Sequence, residues 1–293
     1  MKYVQRALLI LLAVPLAACV NFGAVKGFSD ETAKLTSATR DEFMFVAKDC
    51  ADVARVRRIV EGVNTQGSNC EKLAGAVGEL TSHTNDVLAV YGKKLGALAD
   101  AKQFDYNADL QRTKAAFTGL KDREGVAALD PAVVNAGIAV ADLLLKLATE
   151  TQRKEAVEQL LAEKQRIQLL ATYMKTFFAG GRTEARPIYQ LQLQEDDSGL
   201  EDAVSSLKAL SSREPIRTRE WLDDIQARRE ALKKRVDGSV GSQLGSAIDA
   251  WLHSLDTLSR KAFEPDWKEW KDQYEQLKSK VTAATDAVDA ARR

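Results

Sequence analysis

Leu244-Gly245-Ser246-Ala247-Ile248-Asp249-Ala250-Trp251-Leu252-His253-Ser254-Leu255-Asp256-Thr257-Leu258 is the stretch on which the fold turns. Its residues Leu244, Ile248, Trp251, Leu255 and Leu258, followed by Ala262, recur at alternating steps of four and three. That is the helical period, and it confines the apolar surface to one narrow stripe. Pro265 then breaks or kinks the chain, because it removes a backbone donor and disfavours helix at Glu264. Trp267, Trp270, Tyr274, Leu277, Val281, Ala284 and Val288 follow as a second heptad stripe. Two adjacent heptad helices predict a hairpin with coiled-coil-like packing.

Read backwards from this hairpin, nearly the whole chain is helical. Ser29-Asp30-Glu31 offers an N-cap and an acidic first turn, and Phe28, Leu35, Phe43, Val46, Cys50, Val53 and Val60 form a stripe that Gly62 ends. Residues 29–61 would make a rod of about 50 Å. A polar loop leads to a second helix from Cys70 through Leu73, Val77, Leu80, Val87, Tyr91 and Leu98, antiparallel to the first because the connection is short. Gly92 and Gly96, one turn apart on it, predict close approach of a neighbouring helix. Asn107 to Lys121 is a shorter helix. Asp130-Pro131 caps and opens a long one, expected to run through Leu160 and Met174 to Phe177 and to stop at Gly180-Gly181. Around 182–197 the alternation of Tyr189, Leu191 and Leu193 with glutamines is a strand signal. A lone strand has no partner, so an irregular segment or helix turn is expected, with a sub-boundary near 180–198. Ser198 and Glu201 suggest a capping box, and Pro215 to Gly238 bounds a further helix. The expected class is all-α: an elongated bundle of long antiparallel helices over residues 29–293, without a repeat of fixed length.

Residues 1–18 read differently. Lys2 and Arg6 precede an apolar run from Ala7 to Val14, too short to span a bilayer comfortably, which is the layout of a secretory signal. Leu16-Ala17-Ala18-Cys19 resembles the lipobox of bacterial lipoproteins. The resemblance covers residues 1–20 alone. It implies cleavage before Cys19, a diacylglyceryl thioether on its sulfur and an acyl group on the new N-terminus, with residues 19–28 as a lipidated tether. Val20, where inner-membrane retention is associated with Asp, implies the periplasmic face of an outer membrane in a cell that has two membranes.

With Cys19 given to lipid, Cys50 and Cys70 remain. An even pair in an exported chain suggests one disulfide; two buried thiols are the alternative. Twenty residues apart and without a histidine cluster, they do not form zinc-site spacing. The 42 basic and 42 acidic residues balance, which leaves no electrostatic case for nucleic acid. His83 and His253 stand apart from other ligands, no nucleophile elbow or phosphate loop occurs, and the carboxylates are interspersed with Lys and Arg as on solvated helix faces. No catalytic residue, metal site or cofactor is assigned. Arg228, Arg229, Lys233, Lys234 and Arg235 form a basic stretch that lipid headgroups or an acidic partner could use; the interspersed Glu220, Asp223, Asp224 and Glu230 favour a solvated face. Trp267, Trp270 and Tyr274 are candidate partner-binding residues, although their heptad positions favour burial. The apolar segment 132–147 is either a central helix or a membrane-inserting one; Asn135, Asp142 and Lys146 interrupt it and favour the core. Three functions follow as expectations. The first is a lipid-anchored, non-enzymatic scaffold or partner-binding module, the second a membrane-active protein using 132–147, and the third an enzyme or small-ligand receptor with a site between helices.

Overall fold

The computed structural model describes residues 20–61, 76–102, 107–121, 130–147, 153–180, 188–190, 192–194, 215–264 and 268–293. In chain order the helices are α1 (Phe22–Glu61), α2 (Ala76–Ala99), α3 (Asn107–Lys121), α4 (Pro131–Lys146), α5 (Arg153–Ala162), α6 (Lys164–Ala179), α7 (Pro215–Asp237), α8 (Val240–Lys261) and α9 (Lys268–Arg292). No strand occurs among the described residues, and the helices pack as an all-α bundle. The signal segment, Cys19, Cys70, Trp267 and the capping box suggested at Ser198 and Glu201 lie outside the described residues. The Cys50–Cys70 pairing therefore lies outside them too.

α1 begins at Phe22, not at Ser29. Asn21 is the cap, its Oδ1 accepting the Ala24 N–H at 2.9 Å. Local chemistry favoured Ser29-Asp30, but the turns before it carry Val25 and Phe28, both wholly buried. Burial of that apolar face outweighs an alternative cap worth about 1 kcal/mol. The stretch 22–28, expected as tether, is thus part of the core helix.

α1 and α2 meet through small and polar residues. A Cβ on Gly92 would lie 2.6 Å from Thr32 Cγ2, and one on Gly96 would overlap the Ser29 hydroxyl. The two glycines do admit a neighbouring helix. Along this seam the hydroxyls of Thr32 and Thr36 donate back to their i−4 carbonyls, and Thr39 shares its one hydroxyl proton between the Leu35 carbonyl and Asn85 Oδ1. Trp251 of α8 donates its indole N–H to Thr32 Oγ1 at 2.7 Å, and Asn85 of α2 bridges Thr39 Oγ1 and the Thr36 carbonyl. Buried hydroxyls are satisfied there without interrupting the helix.

The long helix expected from Pro131 to Phe177 is three. Asp130 caps α4 as expected, accepting the Ala132 N–H at 2.8 Å. α4 ends at Lys146, and a second break falls at Glu163, whose N–H bonds the Leu160 carbonyl at 3.3 Å. Leu161-Ala162-Glu163-Lys164 holds neither glycine nor proline, so nothing local signals the break. Within α4, Val133, Val134, Val140, Ala141 and Leu144 are buried, which is the central-helix reading of 132–147. No described helix is long and apolar enough to cross a membrane. Residues 188–190 and 192–194 are helical, so the period-two signal there does not make a strand.

The C-terminal hairpin forms as its two stripes require. Leu244, Ile248, Trp251, Leu255 and Leu258 of α8 and Trp270, Leu277, Val281, Ala284 and Val288 of α9 are all buried, and the two helices pack on each other. α7 ends as expected before Gly238, but Ser239, not the glycine, takes the left-handed conformation at φ 53°.

Candidate functional site

Three places gather chemistry-bearing side chains. The first is a buried ion pair. Glu42 is 0% and Arg235 3% exposed at the side chain. Arg235 donates from Nε to Glu42 Oε2 at 2.7 Å and from Nη2 to Oε1 at 3.2 Å, a bidentate fork. Tyr189 donates its hydroxyl to Oε2 at 2.9 Å. Arg235 Nη1 reaches the carbonyls of Ala231 and Ala291, and the guanidinium carbon stands 3.4 Å from the centre of the Phe45 ring. Burial, reinforced by the Glu42 charge, pushes the Tyr189 hydroxyl well above its usual range and keeps it a donor. Gln192, next to this group, donates to the Val46 carbonyl at 3.0 Å. Both carboxylate oxygens are occupied, and the cluster joins α1, α7, the end of α9 and Tyr189.

Sequence reading placed Arg235 on a solvated basic face. The structure corrects this for Arg235, while Arg229, Lys233 and Lys234 are exposed. The reason is register. Leu232 and Arg235 are three apart, one helical turn, and both point inward. A signal for Glu42 was present: Leu35, Thr39, Glu42 and Val46 follow the four-three spacing of the buried stripe.

The second place is a cleft of about 320 Å³ between α1, α2 and α3, lined by Arg40, His83, Asp86, Lys93, Asp109 and Arg112 among others. His83 was expected on the polar side of its helix. It is half-buried beside the Phe117 ring, with centroids 5.9 Å apart, and burial lowers its pKa. Burial raises that of Asp86, against the opposing pull of Arg40. His253 is exposed, in a shallow groove between α8 and α9 with Asp249, Gln276 and Lys280. No group of three His, Cys, Asp or Glu side chains is placed to hold a metal ion among the described residues.

The third place is the end of the bundle where the described chain begins. Asn21 donates its N–H to the Ala262 carbonyl at 3.2 Å, tying the start of α1 to the end of α8. Arg153 donates to the Leu98 and Ala99 carbonyls at 2.6 Å each, satisfying the open end of α2, and its guanidinium covers the Phe22 ring at 4.0 Å. Lys94, buried, donates to the Leu147 carbonyl at the end of α4. Neither cation carries a sequence signal, since both act on carbonyls more than fifty residues away.

Of the candidate partner-binding aromatics, Trp270 is 6% exposed and stacks on half-buried Tyr274 with centroids 6.0 Å apart. Gly27 of α1 lies under the Tyr274 ring, where a Cβ would stand 2.9 Å from Cε2. Trp270 is a core residue that backs the Tyr274 ring; Trp267 lies outside the described residues. No protein-family model, curated protein or solved structure matches this chain.

Proposed function

We propose that this chain is a lipid-anchored cell-envelope protein, held at the periplasmic face of an outer membrane, whose helical bundle binds or scaffolds a protein partner without catalysing a reaction. The observation that carries it is the spacing between the lipobox and the fold. Cys19 stands three residues before α1, whose first turns are core. A lipid there would hold the bundle within about 10 Å of the bilayer rather than on a long leash. The buried Glu42–Arg235 pair supports a binding role in one respect: its two charges are committed to joining elements. The shallow groove on the outer side of α8 and α9 is a surface for a partner. Met44 is the large hydrophobic side chain left exposed, at 57%, among the described residues, so an aqueous compartment suits the bundle.

Cys19→Ala tests the reading. The variant is expected to lose lipid labelling and membrane fractionation while its bundle stays folded. Unchanged labelling in the variant would refute the anchor. Crosslinking of the native protein in cells, followed by mass spectrometry, is expected to recover one recurrent envelope protein.

A further inference from the structure

We infer that the anchor end of the bundle is itself a membrane-contact face, fitted to the headgroups of anionic phospholipids. The inference rests on Cys19 bearing the lipid. Val20 is only 8% exposed and Asn21 is bonded to Ala262, so the chain has no slack after the cysteine. Two residues span at most about 7 Å. A diacylglyceryl group at Cys19 therefore brings this end, and no other, against the bilayer.

The chemistry of that end suits the contact. Phe22 and Phe263 are half-buried, packed at the edge of the core. Each is paired with a cation: Arg153 over Phe22, and Lys154 with its ammonium 5.9 Å from the centre of the Phe263 ring. Lys102 projects beside them at 72% side-chain exposure, on the turn in which Ala101 is left-handed. Ring edges at the level of the acyl boundary, with lysine stems carrying ammonium groups up into the phosphates, are the interfacial arrangement of amphipathic side chains. Asp100 lies 3.0 Å from Lys102 and Glu158 3.8 Å from Lys154, so each of the two lysines already has a carboxylate partner within the protein. The attraction is accordingly an orienting one, added to a lipid tether that does the holding. The far half of the molecule is kept off the membrane. Glu42 is twenty residues along α1 from Phe22, about 30 Å away.

The experiment uses the full-length lipoprotein, reconstituted into phosphatidylglycerol-containing vesicles, into pure phosphatidylcholine vesicles, or kept in detergent. Its lysines are acylated with a water-soluble reagent and mapped by mass spectrometry. Lys102 and Lys154 are expected to lose reactivity by about fivefold in phosphatidylglycerol vesicles, and less in phosphatidylcholine, while Lys233 and Lys234 are unchanged. Equal reactivity of all four in protein that floats with vesicles overturns the contact face and leaves the anchor standing. Equal protection in both vesicle types overturns the choice of anionic headgroups. An N-terminal peptide without lipid overturns the anchor and the inference together. In Lys102→Glu/Lys154→Glu, flotation is expected to persist while Phe22 and Phe263 peptides exchange amide hydrogens faster in vesicles; unchanged exchange argues against the face.

Discussion

Glu42 and Arg235 illustrate how much a single side chain commits at the residue scale. A lone buried charge is strongly unfavourable, and each of these is tolerated only because the other is placed within hydrogen-bond reach. Glu42→Ala leaves the guanidinium uncompensated and is expected to cost about 3–5 kcal/mol, read from urea unfolding. Replacing both by leucine should cost much less than the two single changes added together. A full additive loss would show that the pair is not coupled. His83 supplies the pH dependence. Its folded pKa lies below the ordinary 6.5 because burial disfavours the charged ring, opposed by Asp86 and Glu79. As pH falls through 6.5, the unfolded chain takes up the proton first, so stability drops until the lower folded value is reached. Asp86 acts in the other direction and further down: its raised folded pKa lets the native state bind a proton before the unfolded chain does, restoring stability as pH approaches 3.8. Arg40 of α1 and Asp109 and Arg112 of α3 face the same cleft. His83→Gln is expected to flatten the fall in melting temperature between pH 7.5 and 5.5, about one unit to either side of the ordinary histidine value. An unchanged slope would remove His83 from the account.

Among the elements, glycines divide into those that serve contact and those that do not. Gly241 at the start of α8 lies against α6, where a Cβ would overlap the Phe178 carbonyl oxygen. Backbone does not step aside as a side-chain tip can, so Gly241→Ala is expected to destabilise by about 1–3 kcal/mol. Gly119 in α3 has nothing within 4 Å of its Cβ position and is exposed. Gly119→Ala should therefore stabilise by about 1 kcal/mol through helix propensity alone. Thermal melts of the two variants should move in opposite directions; movement in the same direction would contradict the assigned contact. The same contrast explains the seam of α1 and α2, where Thr32 and Ser29 occupy the space that Gly92 and Gly96 leave.

At the scale of the whole molecule, the C-terminal hairpin and the N-terminal helix close on one another. Tyr274, stacked on Trp270, seats α9 against Gly27, while Arg292 at the other end of α9 pairs with Asp41 at 2.9 Å. Trp270→Ala is expected to cost about 3–5 kcal/mol, lowering the melting temperature. A melting curve that does not move, with crosslinked partner lost, would place Trp270 on a binding surface instead. Closing the bundle on the segment nearest Cys19 also explains why α1 starts seven residues before its expected cap: the neighbours that bury Val25 and Phe28 come from elsewhere in the chain.

The all-α class, the hairpin of α8 and α9, the bounds of α3 and α7, the Asp130 cap and the close approach at Gly92 and Gly96 were legible in the sequence. Each depends on the spacing of residues within one helix, and apolar periodicity and cap chemistry are local. The start of α1, the breaks after Lys146 and at Glu163, and the burial of Glu42, Lys94 and Arg235 were decided by tertiary structure. The register of Glu42 marks it as inward, but the partner that lets a charge stay buried there has to be brought across the bundle. Glu42 and Arg235 are separated by 193 residues and Arg153 from the carbonyls of α2 by more than fifty. Helical periodicity says which way such a side chain points, and only packing says what it meets.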